Sequence, residues 1–207
     1  MKNLILFILV VVSFSATSQK KKFFSGKMQL ANGTEQSAFI KIPSDELDKT
    51  IDYKKTEDGA KESIKSDELK SFTVTNEGVT VEFVRTYYYR WGDHKKSQSQ
   101  SWVNVLRKGS VTLYSTNYDQ FSAQEVMNPS TSSAIIFLLK RTEEDFPTQV
   151  AQYKPGVKNY NTLFRKFASA YFNDYPELAK RFDGKEFKLE DIGTVADIYN
   201  QWKIGKK

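Results

Sequence analysis

The chain has 207 residues, with 31 Lys and Arg against 25 Asp and Glu for a formal charge of +6, 39% hydrophobic and 14% aromatic content, 10 Gly, 5 Pro and no Cys. These figures exclude collagen-like, disulfide-scaffold and low-complexity chains, and a mean hydropathy of -0.55 excludes a polytopic membrane protein. The positive charge is spread among interspersed acids instead of forming one basic footprint, so no nucleic-acid partner is expected.

The first predicted segment is an export signal. Lys2 supplies a positive n-region, Leu4 to Val12 an unbroken apolar h-region, and Ser13 to Ser18 a small, polar c-region. With Ala16 at the −3 position and Ser18 at −1, cleavage leaves Gln19 as the first mature residue. The nine apolar residues are too few for the roughly 20 that a spanning helix needs, so no transmembrane anchor is expected in the mature chain. A lipid anchor would need a Cys at the cleavage point. Removing residues 1–18 leaves 189 residues and lowers the charge to +5. A chain of that size can bury roughly 70% of its unfolded surface, so one core suffices without disulfide staples.

From Phe23 to about Lys140 the hydrophobic pattern has period two, the signature of short antiparallel strands. Met28 and Leu30 alternate with polar neighbours up to Asn32-Gly33, a strong hairpin signal, and Ala38, Ile40 and Ile42 share one face before Pro43 ends the strand. Phe72 and Val74 lead into Asn76-Glu77-Gly78, and Val79, Val81 and Phe83 line the return. Trp102 to Leu106 turns at Lys108-Gly109 into Val111 and Leu113. Ala134 to Leu139 is apolar on both faces, which places it as a central or covered strand. The count is about seven strands.

After Pro155-Gly156 the period becomes helical. Val157, Tyr160, Leu163, Phe164, Phe167 and Tyr171 recur at spacings of three and four. Asp174 and Pro176 open a short helix carrying Leu178 and Phe182, closed by Gly184. Leu189, Ile192, Val195, Tyr199 and Trp202 stripe a last helix, with Glu190 and Asp191 in its first turn and Gly205 as its stop. The fold class is therefore α+β: an antiparallel β-sheet or partly rolled barrel followed by two or three C-terminal helices. The domain organisation is a signal peptide over 1–18 and a single α+β domain over 19–207, β-rich at 23–141 and helical at 156–204.

Chemistry-bearing motifs are sparse. With no Cys and one His, neither structural nor ordinary catalytic zinc can be assembled, and no cofactor or metal is expected. The most distinctive stretch is Tyr87-Tyr88-Tyr89-Arg90-Trp91, followed by His94, Lys95 and Lys96. Strand alternation places Tyr87, Tyr89 and Trp91 on one face and Tyr88 with Arg90 on the other. An exposed aromatic row stacks on sugar rings, and the cations hold anionic groups, so Tyr87, Tyr88, Tyr89, Arg90, Trp91 and His94 form the candidate ligand site. The alternative is a long hairpin whose aromatics fill cross-strand pairs behind a basic tip. His94 is a candidate general base or a surface residue of a polar loop.

Acidic pairs at Asp45-Glu46, Glu57-Asp58, Asp67-Glu68, Glu143-Glu144-Asp145 and Glu190-Asp191 leave a glycosidase-like carboxylate pair open, although neighbours on a strand face opposite ways. The serine-rich runs at Ser97 to Ser101 and Ser130 to Ser133 contain no nucleophile elbow and read as loops. Ser44-Asp45-Glu46-Leu47 recurs as Ser66-Asp67-Glu68-Leu69, each read as a serine-capped helical turn before a strand.

The export signal, the Asn-Gly turn, D-x-L-K-S-F at Asp67 to Phe72, W-V-x-V-L-x-x-G-x-V-x-L-Y at Trp102 to Tyr114, Tyr175 to Lys180 and the helix ending Ile198-Tyr199-Asn200 together resemble a family of uncharacterised secreted Bacteroidota proteins. The similarity covers most of the mature chain. It implies a cell-envelope location, periplasmic, outer-membrane-associated or secreted, and carries over no functional residue. Relatives often have a Cys in the last helical region, and this chain has none. The expected function is a non-enzymatic envelope binding or structural module with a protein or glycan partner. The alternative is a glycan or peptidoglycan hydrolase using paired carboxylates.

Overall fold

Both turn signals in the first half of the chain close hairpins. A computed structural model describes residues 23–91, 95–116 and 134–206; residues 1–18, expected to be an export signal, His94 and the serines at 130–133 lie outside the described residues. Strands β1 (Phe24–Leu30) and β2 (Glu35–Ile40) pair with Phe24 opposite Ile40 and Met28 opposite Gln36. Gly33 takes φ 88° in their loop, where the Asn32 side chain accepts the Thr34 N–H at 3.0 Å. Strands β5 (Leu69–Asn76) and β6 (Val79–Thr86) are joined by two residues, Glu77 and Gly78, both at positive φ. That pattern matches the right-handed strand twist of a tight hairpin.

Among the described residues ten strands form one antiparallel sheet, where about seven were expected. The additional ones are β3 (Thr50–Lys54), β4 (Glu62–Lys65) and β10 (Thr148–Tyr153), all short and interrupted by polar residues, so none has a clean alternation. β10 carries the strand region to Tyr153, beyond the expected limit at 141. The remaining strands are β7 (Ser101–Arg107), β8 (Val111–Ser115) and β9 (Ile135–Arg141), and the sheet order is β10-β9-β8-β7-β6-β5-β1-β2-β3-β4.

The connection from β4 to β5 shows that this sheet is rolled. Three intervening strands separate the two, a distance of roughly 19 Å in a flat sheet. Yet they are joined by the single 3-10 turn Ser66–Glu68, which spans only about 6 Å. The β1–β4 end must therefore curl until β4 approaches β5. In agreement, Ser66, which directly follows β4, accepts the indole N–H of Trp102 on β7 at 3.0 Å. The roll stays open, with β4 and β10 as its edges.

Curling gives one sheet face two cores. Inside the roll, Met28, Ile40, Ile51, Phe72, Val74, Phe83 and Trp102 are buried with no helix over them. Towards the other edge, Val111, Leu113, Ile135, Phe137 and Leu139 pack beneath the helices α1 (Tyr160–Tyr171), α2 (Pro176–Asp183) and α3 (Ile192–Ile204). The helix stripes behave as expected at Phe164, Tyr171, Leu178, Phe182, Val195 and Tyr199, all buried. Val157 precedes α1 and is exposed. β9 is covered on both sides, because Leu138 on its reverse face packs against Val103 and Tyr88. Among the described residues no helix is long and apolar enough to cross a membrane.

Candidate functional site

The aromatic segment after β6 is not a strand. Only Tyr89 makes ladder-like contacts, an antiparallel bridge to Lys96 and a parallel bridge to Thr148 at the start of β10. Tyr89 donates its N–H to the Pro147 carbonyl and accepts the Gln149 N–H, each at 2.8 Å. Tyr88 and Tyr89 therefore lie over the reverse face of the sheet and close part of the β10 edge. Alternation still governs the side chains of the segment. Tyr87 and Tyr89 both meet Phe146 edge-on, with ring centroids 5.7 and 6.0 Å apart, and Lys96 lies 4.0 Å over the Tyr87 ring. Tyr88 points the other way into the Val103–Leu138 cluster and is only 8% exposed. Trp91 reaches around the edge to Phe167 on α1, at 4.7 Å. Arg90 is exposed and donates its backbone N–H to Lys95. These aromatics clasp sheet to helix, and no flat aromatic platform is formed by the five described candidates.

The repeated Ser-Asp-Glu-Leu segments are not serine-capped turns. In the first, the acceptor is Asp48, whose carboxylate takes the Ser44 N–H at 2.7 Å and the Asp45 N–H at 3.2 Å. In the second, Ser66 lies inside the 3-10 turn and makes no cap bond. Its hydroxyl donates to the Asp48 carbonyl at 2.7 Å and accepts the indole N–H of Trp102 at 3.0 Å. The Trp102 backbone N–H goes to the Glu46 carbonyl at 2.8 Å. Both copies thus close the roll around one buried tryptophan. Glu46 is half-buried there; burial, then the neighbouring Asp45 charge, raises its carboxyl above the ordinary range, with a Thr116 hydrogen bond opposing.

A polar network unites acids from distant segments at the end of β9. Arg141 holds Glu144 at 3.1 Å and Asp174 at 2.9 Å, donates to the Tyr199 hydroxyl at 3.1 Å, and also bonds the Tyr171 carbonyl. The Tyr171 hydroxyl donates to Glu144 and that of Tyr199 to Asp174, both at 2.7 Å, while Lys203 reaches Asp174 at 3.0 Å. Burial works to raise the Asp174 carboxyl, but the bonds from Tyr199, Lys203 and Arg141 prevail and hold it low. Asp174 therefore links α3 to β9 instead of capping α2, whose N-terminus has no side-chain cap.

Outside the Tyr88–Val103–Leu138 cluster, the reverse face of the rolled sheet is largely polar. Cross-strand register places Ser37, Lys27, Thr73 and Glu82 in one row, and Phe39, Ser25, Thr75 and Thr80 in the next. Two depressions lie on this side. One, of about 540 Å³, is lined by Ser25, Lys27, Ser37, Phe39, Lys55 and Thr73 among others. The other, of about 300 Å³, is lined by Gln29, Lys70, Ser71, Glu82, Tyr114 and Lys140, with Arg85 also contributing. Sequence reasoning missed both. The available signal was the polar half of the strand alternation, which reads as ordinary solvent-facing surface until the register aligns it across strands.

Among the described residues no group of three or more His, Asp or Glu side chains is placed to hold a metal ion. Comparison with known proteins yields no match: no family model, no curated protein and no solved structure aligns with the chain.

Proposed function

We propose that the chain is an exported, non-enzymatic binding module of the cell envelope, of the kind its sequence resembles, and that it binds through the polar face of its rolled sheet. Export is supported by Lys2, the apolar run Leu4 to Val12 and the small residues Ser13 to Ser18. The observation that carries the binding reading is the aligned rows of hydroxyls and lysines, with two depressions on the sheet face opposite the helices. Hydroxyls both donate and accept, and ammonium groups donate, so this surface suits a hydroxylated and partly anionic ligand such as an envelope glycan.

The carboxylate pair that converges on Arg141 favours binding over hydrolysis. Glu144 and Asp174 converge on Arg141, but each is held by the guanidinium and a tyrosine, and Asp174 is kept acidic. A general acid needs the opposite shift. The test is retention of envelope components on the immobilised protein, with partners identified by mass spectrometry and glycan analysis. Saturable retention of an intact polymer is expected; background-level retention, or release of shortened fragments, would overturn the reading.

A further inference from the structure

We infer that the 300 Å³ depression bounded by Lys70, Ser71, Glu82, Tyr114 and Lys140 is a binding site for one acidic sugar residue, a ring bearing a carboxylate; this rests on the binding reading above. Charge is the first argument. Lys70, Arg85 and Lys140 line the depression and form no salt bridge among the described residues, whereas Lys27, Lys55 and Lys108 on the same face are each paired with a glutamate. The one acid in the lining, Glu82, is the glutamate already neutralised by Lys108. An anion entering the depression therefore meets uncompensated cations.

Lining chemistry then selects a sugar over a bare anion. Ser71 donates to the side-chain oxygen of Gln29 at 3.2 Å, and the amide N–H groups of that same lining residue are donors. The Tyr114 hydroxyl adds a group that can both donate and accept, while Glu82 and the Thr86 hydroxyl, whose proton goes to the Tyr87 carbonyl at 2.8 Å, add acceptors. Acceptors are of no use to a simple anion but pair with sugar hydroxyls. The Tyr114 ring supplies the apolar surface on which a sugar face can rest. A volume of about 300 Å³ is at the small end of ligand sites, which suits one ring and not a longer segment.

The site is tested by calorimetric titration of the protein with galacturonic acid, galactose and inorganic phosphate. Galacturonic acid is expected to bind, with galactose and phosphate each weaker by about tenfold or more. Raising the salt concentration to 0.5 M should weaken galacturonic acid binding severalfold, because the lysines are solvent-accessible. The double variant Lys70→Ala, Lys140→Ala is expected to lose about tenfold in affinity with an unchanged thermal midpoint, whereas Lys158→Ala, at an exposed lysine before α1 that lines neither depression, should bind as before. Should the double variant fail to fold, Lys140→Gln alone must show the loss. Equal affinity for galactose, equal affinity for phosphate, or unaltered binding by the lysine variants would overturn the site. If both wild type and double variant retain the same envelope polymer, the site is wrong and the binding module stands; if the wild type retains nothing, the functional reading itself is wrong.

Discussion

Gly26 allows β1 to lie close against β5. A Cβ atom built there would sit 1.9 Å from the Thr73 carbonyl oxygen on β5, deep inside contact distance and against backbone that cannot swing aside. In the sequence Gly26 is an interruption in an otherwise regular strand, a feature that signals a bulge or a close backbone approach without saying to what. Gly26→Ala must separate β1 from β5 and is expected to cost about 3 kcal/mol, at the upper end for overpacking, measured as a lowered urea midpoint. An unchanged midpoint would mean that the strands part freely. Tyr88 teaches a related lesson. Its place in the aromatic run marks it as a ligand contact, but with 8% exposure its truncation reports on stability before it reports on binding.

Helix docking depends on polar contacts as much as on the apolar stripes. Asn200 on α3 accepts the Val111 N–H at 2.7 Å and donates to the Val111 carbonyl at 3.0 Å, pairing a side-chain amide with the first residue of β8. Gly109 makes room for it, since a Cβ there would lie 2.3 Å from the Asn200 side chain. Two motifs behind the family resemblance, the turn at Gly109 and the Ile198-Tyr199-Asn200 ending, are therefore the two halves of one contact. Asn200→Ala removes both bonds and is expected to destabilise the fold by about 2 kcal/mol, with faster hydrogen exchange at the Val111 amide. Exchange left unaltered would show that the amide pairing does not hold α3 in place. The stripes of α1, α2 and α3 were readable because apolar spacing alone marks a helix face. The Asn200 and Arg141 contacts were not, since periodicity identifies which face is buried and gives no information about what it meets.

The protein as a whole carries opposing pH dependences. Asp52, bonded first by Ser63 and then by Lys61 and Lys41, is held below the ordinary carboxyl range, as is Asp174. A depressed carboxyl contributes stability that is present above its unfolded pKa and lost as pH falls through its folded one. Glu46 is raised, so its contribution is present below its unfolded pKa and lost as pH rises through its folded one. Urea midpoints are therefore expected to fall below about pH 4 as the aspartates protonate. Glu46→Gln is expected to raise the midpoint at pH 7 and leave it little changed at pH 4. A variant equally stabilised at both pH values would show that the Glu46 charge is not the cost.

Local pattern alone settled the α+β class, the Asn-Gly and Glu-Gly turns, the doubly buried strand at Ile135 and the apolar stripes of the helices, because alternation, turn chemistry and helical spacing each act over a few neighbouring residues. Sheet order, the roll, the contact of both Ser-Asp-Glu-Leu segments with Trp102, and the convergence of Lys70 with Lys140 across separate strands needed the tertiary structure. Those features depend on which strands become neighbours. The length of a single connection, Ser66–Glu68, forces the roll, and the roll brings hydroxyls and lysines from distant strands onto one surface. Aromatic richness at Tyr87 to Trp91 pointed towards a ligand site, but the edge of β10 and the α1 surface were available to bury those rings, and packing claimed them.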